Sequence, residues 1–280
     1  MPQSDLIIRT MTKDEFGIAT SWSSAEGWNP GNYDAAPFYG ADSNGFFLGL
    51  IDNEPVGCIS AVRYGREFGF IGFYIVHPEF RGNGYGLRLW HHAMDYLGER
   101  NVGLDGVLAQ QENYRKSGFT LAYRNIRFEG LGTGGIKMPS NVVSLSTIPL
   151  EAVSDYDVFP APRPHFLNLW ITEPAHICLA ALDGGRLTGF GAIRPSQRGF
   201  RVGPLFANNL EIAENLFIAL ISHVPGQFVY LDAPEINPHA VRLAEKHGMT
   251  QVFETARMYT KTQPKIEIEK IFGVTSLELG

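Results

Sequence analysis

The chain contains one pattern twice. When residues 46–76 are shifted by 131 they land on residues 177–207 without a gap: Leu48 meets Leu179, Asp52 meets Asp183, Ala61 meets Ala192, Arg63 meets Arg194 and Gly72 meets Gly203. Those identities are few, but apolar positions also keep their character, with Ile51 on Leu182, Val56 on Leu187 and Val62 on Ile193. Agreement of this kind along a strand is informative, because a slip of one residue turns every side chain to the opposite face. Further on, Leu104-Asp105 answers Leu231-Asp232 at a shift of 127. The expectation is two copies of one α/β fold in tandem.

Each copy reads strand, strand, strand, helix, strand, helix, strand. In the first, residues 6–9 are a short strand and residues 12–22 a helix, with Thr12 as N-cap and Glu15 completing a capping box. Residues 45–51 and 56–64 are strands joined by the turn Asp52-Asn53-Glu54-Pro55, and residues 68–76 are a third. Residues 87–100 are helical, with Trp90, Met94 and Leu97 on one face. Residues 101–107 give another strand, and residues 110–116 a short helix ended by Gly118. A last strand spans residues 121–128. The stretch Gly130-Leu131-Gly132-Thr133-Gly134-Gly135 is a boundary by composition, so the predicted domains are residues 1–130 and 142–280. In the second, residues 142–145 restart a strand, Pro149 opens a helix, and residues 271–274 form a strand that docks on a sheet.

Bulk properties exclude several functions. The 280 residues carry 23 basic and 29 acidic groups, a net charge of −6, which argues against a nucleic-acid partner. Two cysteines, Cys58 and Cys178, make no disulfide framework and suggest a reducing compartment. Residues 1–5 lack the basic-then-apolar layout of a leader, and no apolar run reaches the ~18 residues needed to span a bilayer. A cytoplasmic chain with no membrane partner is expected.

The long third strand feeds Val76-His77-Pro78-Glu79-Phe80-Arg81-Gly82-Asn83-Gly84-Tyr85-Gly86 and then a helix. A Gly-rich turn at a helix N-terminus binds phosphate, since glycines let backbone N–H groups approach the oxygens and the helix dipole favours negative charge. Arg81 adds a charge-assisted contact. The loop is too compact for a dinucleotide fingerprint and lacks the Gly-Lys-Ser/Thr ending of a Walker loop. A plain turn needs one glycine, not three on alternate positions beside an Arg.

The run Arg81-x-x-Gly84-x-Gly86, preceded by Val76 and Pro78, resembles the acetyl-CoA motif of the GNAT superfamily of N-acetyltransferases. Tyr114-Arg115-Lys116-Ser117-Gly118-Phe119 is similar to the signature on that family's last helix. The likeness covers residues 46–119 in the family's order, and the whole chain resembles bacterial proteins with a second, degenerate GNAT-like domain. It implies two α/β (α+β) domains, each a mixed, mostly antiparallel sheet flanked by helices. It also implies transfer of acetyl from acetyl-CoA, without a metal, to an amine. A small molecule is the expected acceptor and the chain is expected to be a monomer or homodimer. A non-catalytic acyl-CoA sensor and a protein-lysine acetyltransferase are the alternatives.

The resemblance assigns tasks. The backbone of Gly82, Asn83, Gly84, Tyr85 and Gly86, with Arg81, holds the pyrophosphate. The backbone of Tyr74, Ile75 and Val76 pairs with the pantetheine arm. Tyr114 stands where the family keeps its general acid, and a phenol near pKa ~10 is a reasonable donor to a thiolate whose conjugate acid lies near ~8.5. No acid stands on residues 70–74, which leaves Asp105 as the nearest candidate base, although its counterpart Asp232 suggests a structural role instead. Many members carry an Asn where this chain has Val107. Here Gln110, Gln111 and Asn113 cluster before Tyr114, either to line the thiol end or to cap the short helix. Trp28 and Asp34, in an aromatic and polar loop over the substrate entrance, are candidates to hold a cationic amine, with Asp232 a further candidate beside Trp170 and His176. His91 and His92 read as surface residues.

The second copy has lost the chemistry. Residues 76–86 fall on residues 207–217, where no glycine or Arg remains and Glu211 and Glu214 would repel phosphate. Ala244 stands in the place of Tyr114. One cofactor per chain is expected, with a pocket that draws on both halves.

Overall fold

The computed structural model describes residues 5–135 and 139–280; residues 1–4, read above as part of a start without a leader, lie outside them. The first copy runs β1 (Ile7–Thr10), α1 (Phe16–Ala25), α2 (Ala35–Ala41), β2 (Phe46–Ile51), β3 (Glu54–Tyr64), β4 (Phe68–Val76), α3 (Tyr85–Leu97), β5 (Asn101–Val107), α4 (Gln111–Lys116) and β6 (Thr120–Leu131). The second runs β7 (Val142–Ser144), α5 (Leu150–Tyr156), α6 (Pro164–Thr172), β8 (Ile177–Asp183), β9 (Arg186–Pro195), β10 (Phe200–Ala207), α7 (Leu210–Ile221), β11 (Phe228–Pro234), α8 (Pro238–Lys246), β12 (Thr250–Tyr259) and β13 (Ile271–Gly273). No helix among the described residues is long and apolar enough to cross a membrane.

The Thr12–Glu15 box is made: the Thr12 N–H donates to Glu15 Oε2 at 2.9 Å, although the regular helix begins only at Phe16. The repeat is also real, but its alignment needs one correction. Val76 and Ala207 end their strands at the expected shift of 131. In the preceding hairpin, however, Ile51 opposes Glu54 while Asp183 opposes Arg186, a shift of 132 (183 less 51). The tight turn uses Asp52-Asn53 in one copy and Gly184-Gly185 in the other. The strands are covered on both faces, β3 reading buried at almost every position, so alternation does not betray the slip.

All thirteen strands join one mostly antiparallel sheet, in the order β1-β2-β3-β4-β5-β12-β6-β11-β10-β9-β8-β7, with β13 on β10. Among the described residues, β4/β5 and β10/β11 are the strand pairs that run parallel. The centre is the unexpected part. Each copy has given its last long strand to the other: β12 pairs with β5, β6 pairs with β11, and the two exchanged strands pair with each other.

Three apolar clusters cover the sheet. One is shared by both halves and joins Phe16, Phe38, Phe46 and Phe73 to Phe166, Trp170, Phe190 and Phe206. On the other face, α3 and α4 pack through Leu89, Trp90 and Tyr114, and α7 and α8 through Leu216, Leu220 and Leu243. Trp170, fully buried, stacks on Phe38 at 5.8 Å across the two halves, and its carbonyl accepts from His176 Nδ1 at 2.9 Å, so both take part in the packing between the halves.

Candidate active site

Strands β4 and β5 pair from Phe68/Asn101 to Ile71/Leu104 and no further. The divergence has a local cause. The register of β4 against β3 shifts between Cys58 and Ser60, and Phe73 sits at φ 45°. That left-handed conformation costs a non-Gly residue roughly 1–2 kcal/mol, offset as the Phe73 ring packs edge-on to Phe16 at 5.5 Å and Phe38 at 6.1 Å. The bulge bends β4 away from β5. Into the wedge opens a cavity of about 460 Å³, walled by residues 71–76 and 104–107 and running to the loop ahead of α3.

At the mouth, Gly82 has φ 83° and Gly84, the N-cap of α3, has φ 79°. A Cβ at either would meet nothing within 4 Å, so backbone conformation rather than crowding calls for glycine. At Gly86 crowding decides: a Cβ there would stand 2.8 Å from the Tyr74 hydroxyl oxygen and 3.2 Å from Val76 Cγ2. No side chain caps the 13-residue α3, so its first N–H groups remain for a ligand. Arg81 donates from Nε to the Val76 carbonyl at 2.9 Å and from Nη2 to Glu26. A pyrophosphate and an extended arm fit this arrangement of open N–H groups, a guanidinium and a free strand edge. Glu26, which lines the cavity and holds Arg81, carried no signal in the sequence beyond its place in the aromatic loop.

Tyr114 enters the wedge from α4. Its ring lies 5.7 Å from Trp90 and fills the space over Gly106, where a Cβ would stand 2.2 Å from Tyr114 Cε2. Burial, with the neighbouring Tyr74, pushes its hydroxyl well up from the ordinary phenol value. Val107 and Gln110 line the same cavity, as does Trp28, whose carbonyl accepts from Arg127 Nη1 at 2.6 Å.

Other expected residues stand elsewhere. Asn113 is exposed outside the lining and donates to Gln110 Oε1 at 2.7 Å; Asn83 donates to the Phe80 carbonyl at 3.1 Å and shapes the loop. Asp105 borders the cavity, but its side chain is fully buried and gripped by Arg257, at 2.8 Å from Nε to Oδ1, and by Asn125 Nδ2, also at 2.8 Å. Burial pushes this carboxyl up and Arg257 pulls it back. Both oxygens are engaged, and the pair clamps β5 to β12. Asp232 is its counterpart: Arg127 donates at 2.7 and 2.9 Å and Arg201 at 2.8 Å, and it stands outside the cavity lining. Asp34 is buried against Arg194 at 2.9 Å, also away from the cavity. Beside Asp105 and the Arg81-paired Glu26, a third carboxylate lines the cavity, Glu278 from the segment after β13.

The second wedge is closed. β10 and β11 pair from Phe200/Val229 to Val202/Leu231, but β13 then occupies the gap, with Leu205 opposite Gly273, Phe206 opposite Ile271 and the Val274 N–H on the Asp232 carbonyl at 2.9 Å. The N-terminus of α7 is spent on a side chain, as the Ile212 N–H donates to Asn209 Oδ1 at 3.0 Å. The fifth-residue bond closing α4, Phe119 N–H to the Tyr114 carbonyl, recurs in α8 as Met249 N–H to the Ala244 carbonyl. Ala244 therefore stands in the tyrosine's place without a hydroxyl.

Comparison with known proteins agrees with this geometry. Residues 9–119 match the family model "Acetyltransferase (GNAT) family", and residues 152–273 match "Acetyltransferase (GNAT) domain". The chain is 35% identical over 270 residues to the holothin acyltransferase of Pseudoalteromonas sp. (strain SANK 73390), covering 95% of this chain and 92% of that one. An uncharacterised N-acetyltransferase of Archaeoglobus fulgidus is 31% identical over 99 residues, which cover 33% of this chain and 67% of that protein. A solved structure from Pyrococcus horikoshii shares the fold at a TM-score of 0.83 with 22% identity, over 98% of this chain and 96% of that one. A tandem GNAT protein from the clavulanic acid biosynthesis pathway superposes with a TM-score of 0.64 at 12% identity, over 92% and 100%. The chain belongs to the GNAT family and is an acyltransferase that draws on acyl-CoA.

Proposed function

We propose that this acyltransferase moves an acetyl group from acetyl-CoA to the primary amine of a small molecule by direct transfer, with Tyr114 as general acid. The observation that carries the reading is the convergence, in one cavity of about 460 Å³, of an open β4 edge, a glycine cradle and a buried tyrosine. That volume lies within the roughly 300–1,000 Å³ of small-molecule sites. The N–H groups of residues 82–86 and Arg81 hold the pyrophosphate, and the backbone of Tyr74, Ile75 and Val76 pairs with the arm. Trp28 walls the acceptor end. Asn83 and Asn113 act through the loops they shape. The acyl donor supplies an activated carbonyl; the protein orients it against β4, excludes water and returns a proton to sulfur from the Tyr114 hydroxyl. Residues 1–130 carry the transfer chemistry. Residues 142–280, whose own wedge is filled by β13, bind no acyl-CoA and complete the pocket.

A panel of amines incubated with acetyl-CoA, read by thiol release, tests the reaction. Turnover of one or more small amines is expected. Turnover only on peptide lysines, or on no amine, would sink the reading. Gly84→Glu places a carboxylate at the cradle and a side chain at φ 79°, and should abolish acetyl-CoA binding by calorimetry.

A further inference from the structure

The amine reading leaves one proton unassigned. An ammonium acceptor must lose a proton before it can attack; β4 carries no carboxylate, Asp105 is held by Arg257 and Asn125, and Glu26 is paired with Arg81 at the cradle. We propose, resting on that reading, that Glu278 is the group that takes this proton.

The chain reaches the site by an unusual route. β13 fills the second wedge, and the segment beyond it crosses to the first, where Leu277 and Glu278 line the cavity. The crossing depends on Gly72: a Cβ there would stand 2.0 Å from the Glu278 carbonyl oxygen. The missing side chain on β4 is therefore the space through which the second half presents a carboxylate to the first. Glu278 is 4% exposed; Oε1 accepts from Arg201 Nη1 at 3.2 Å, and Oε2 is buried without a partner. A buried carboxylate oxygen left unbonded costs free energy unless a donor arrives, and an acceptor ammonium in the cavity is such a donor. The neighbouring buried carboxylates are each paired with an arginine. Arg201 also binds Asp232, which Arg127 holds, while Arg194 binds Asp34 in a separate buried pair.

The steps balance. The ammonium gives one proton to Glu278. The freed nitrogen bonds to the thioester carbonyl carbon and the carbon–sulfur bond breaks with its electron pair on sulfur. Sulfur takes the Tyr114 proton, the second nitrogen proton restores the tyrosine, and Glu278 releases its proton to solvent.

The test compares two acceptors found in the amine panel, an alkylamine that is protonated at neutral pH and an aromatic amine that is not. Glu278→Gln keeps an acceptor for Arg201. It should lower kcat on the alkylamine by about 10²–10⁴-fold, leave the aromatic amine within about threefold, and leave acetyl-CoA affinity unchanged. Raising pH toward the alkylamine's own pKa should restore the variant's rate. Should Glu278→Gln fold poorly, Glu278→Asp keeps the charge and retracts it, and is expected to slow the alkylamine selectively. Equal losses on both amines, or none, overturn the assignment of Glu278 alone. If the native enzyme acetylates no amine, the amine reading falls and this one with it.

Discussion

Tyr114 owes its position to a side chain that is absent. Its ring occupies the volume a Cβ on Gly106 would need, and its hydroxyl, driven up by burial, is protonated at neutral pH. Tyr114→Phe should lower kcat by about 100-fold or more with little change in acyl-CoA affinity, read by steady-state kinetics beside calorimetry. Gly106→Ala should displace the ring, cost about 1–3 kcal/mol through overpacking and lower kcat with the tyrosine still present; an unchanged kcat would detach Gly106 from this role. The tyrosine was legible in the sequence because its helix ends in a recognisable Gly-Phe, whereas the glycine beneath it gave no pattern. His176 supplies a pH prediction. Burial, reinforced by Arg194, lowers it from 6.5 to about 3, so between those values the unfolded chain binds a proton that the native one refuses. Stability from this group is complete above pH 6.5 and falls on acidification, by about 2 kcal/mol between pH 6.5 and 5 at roughly 1.4 kcal/mol per unit. Urea denaturation across that range checks it, and His176→Asn should flatten the slope.

The elements were read more easily than their partners. The three-strand run, the Gly-rich loop and the helix after it follow from periodicity and turn chemistry, which act over a few residues. Nothing of that range tells β6 and β12 to exchange places, because the partners that distinguish the two sheets lie more than a hundred residues away. The exchange is written instead in two buried ion pairs, Asp105 to Arg257 and Asp232 to Arg127, each joining a strand to the one received from the other copy. The aspartates were visible as a repeated Leu-Asp; their arginines were not, since they lie 152 and 105 residues away in the chain. Breaking a buried pair while its arginine remains costs about 3–5 kcal/mol. Asp105→Asn should therefore lower stability by about 3 kcal/mol in equilibrium unfolding while the folded fraction keeps its turnover. Loss of kcat without loss of stability would return Asp105 to the role of base. Pairing Asp105→Asn with Arg257→Met should recover much of the deficit.

At the scale of the molecule, the boundary seen at residues 130–135 separates two copies in sequence but not two bodies in space. Residues 1–130 alone would leave β5 without β12 beside it and would expose Phe38, on which Phe166 and Trp170 of the second half stack. An unpaired edge beside a large apolar face is an aggregation hazard. The first half would also lack Glu278 and β12, whose Phe253 and Thr255 wall the cavity. The fragment 1–130 should accordingly be insoluble or fail to bind acyl-CoA, and co-expression with 142–280 should restore both solubility and binding. The intact chain should unfold in one calorimetric transition, because β6 and β12 cannot leave one half-sheet without dismantling the other. Two resolved transitions, or a soluble first fragment that binds acyl-CoA, would mean that the exchanged strands decorate two independent folds. A single transition would fit a molecule in which the copy without a phosphate cradle is kept for the strand and the carboxylate it delivers to the other.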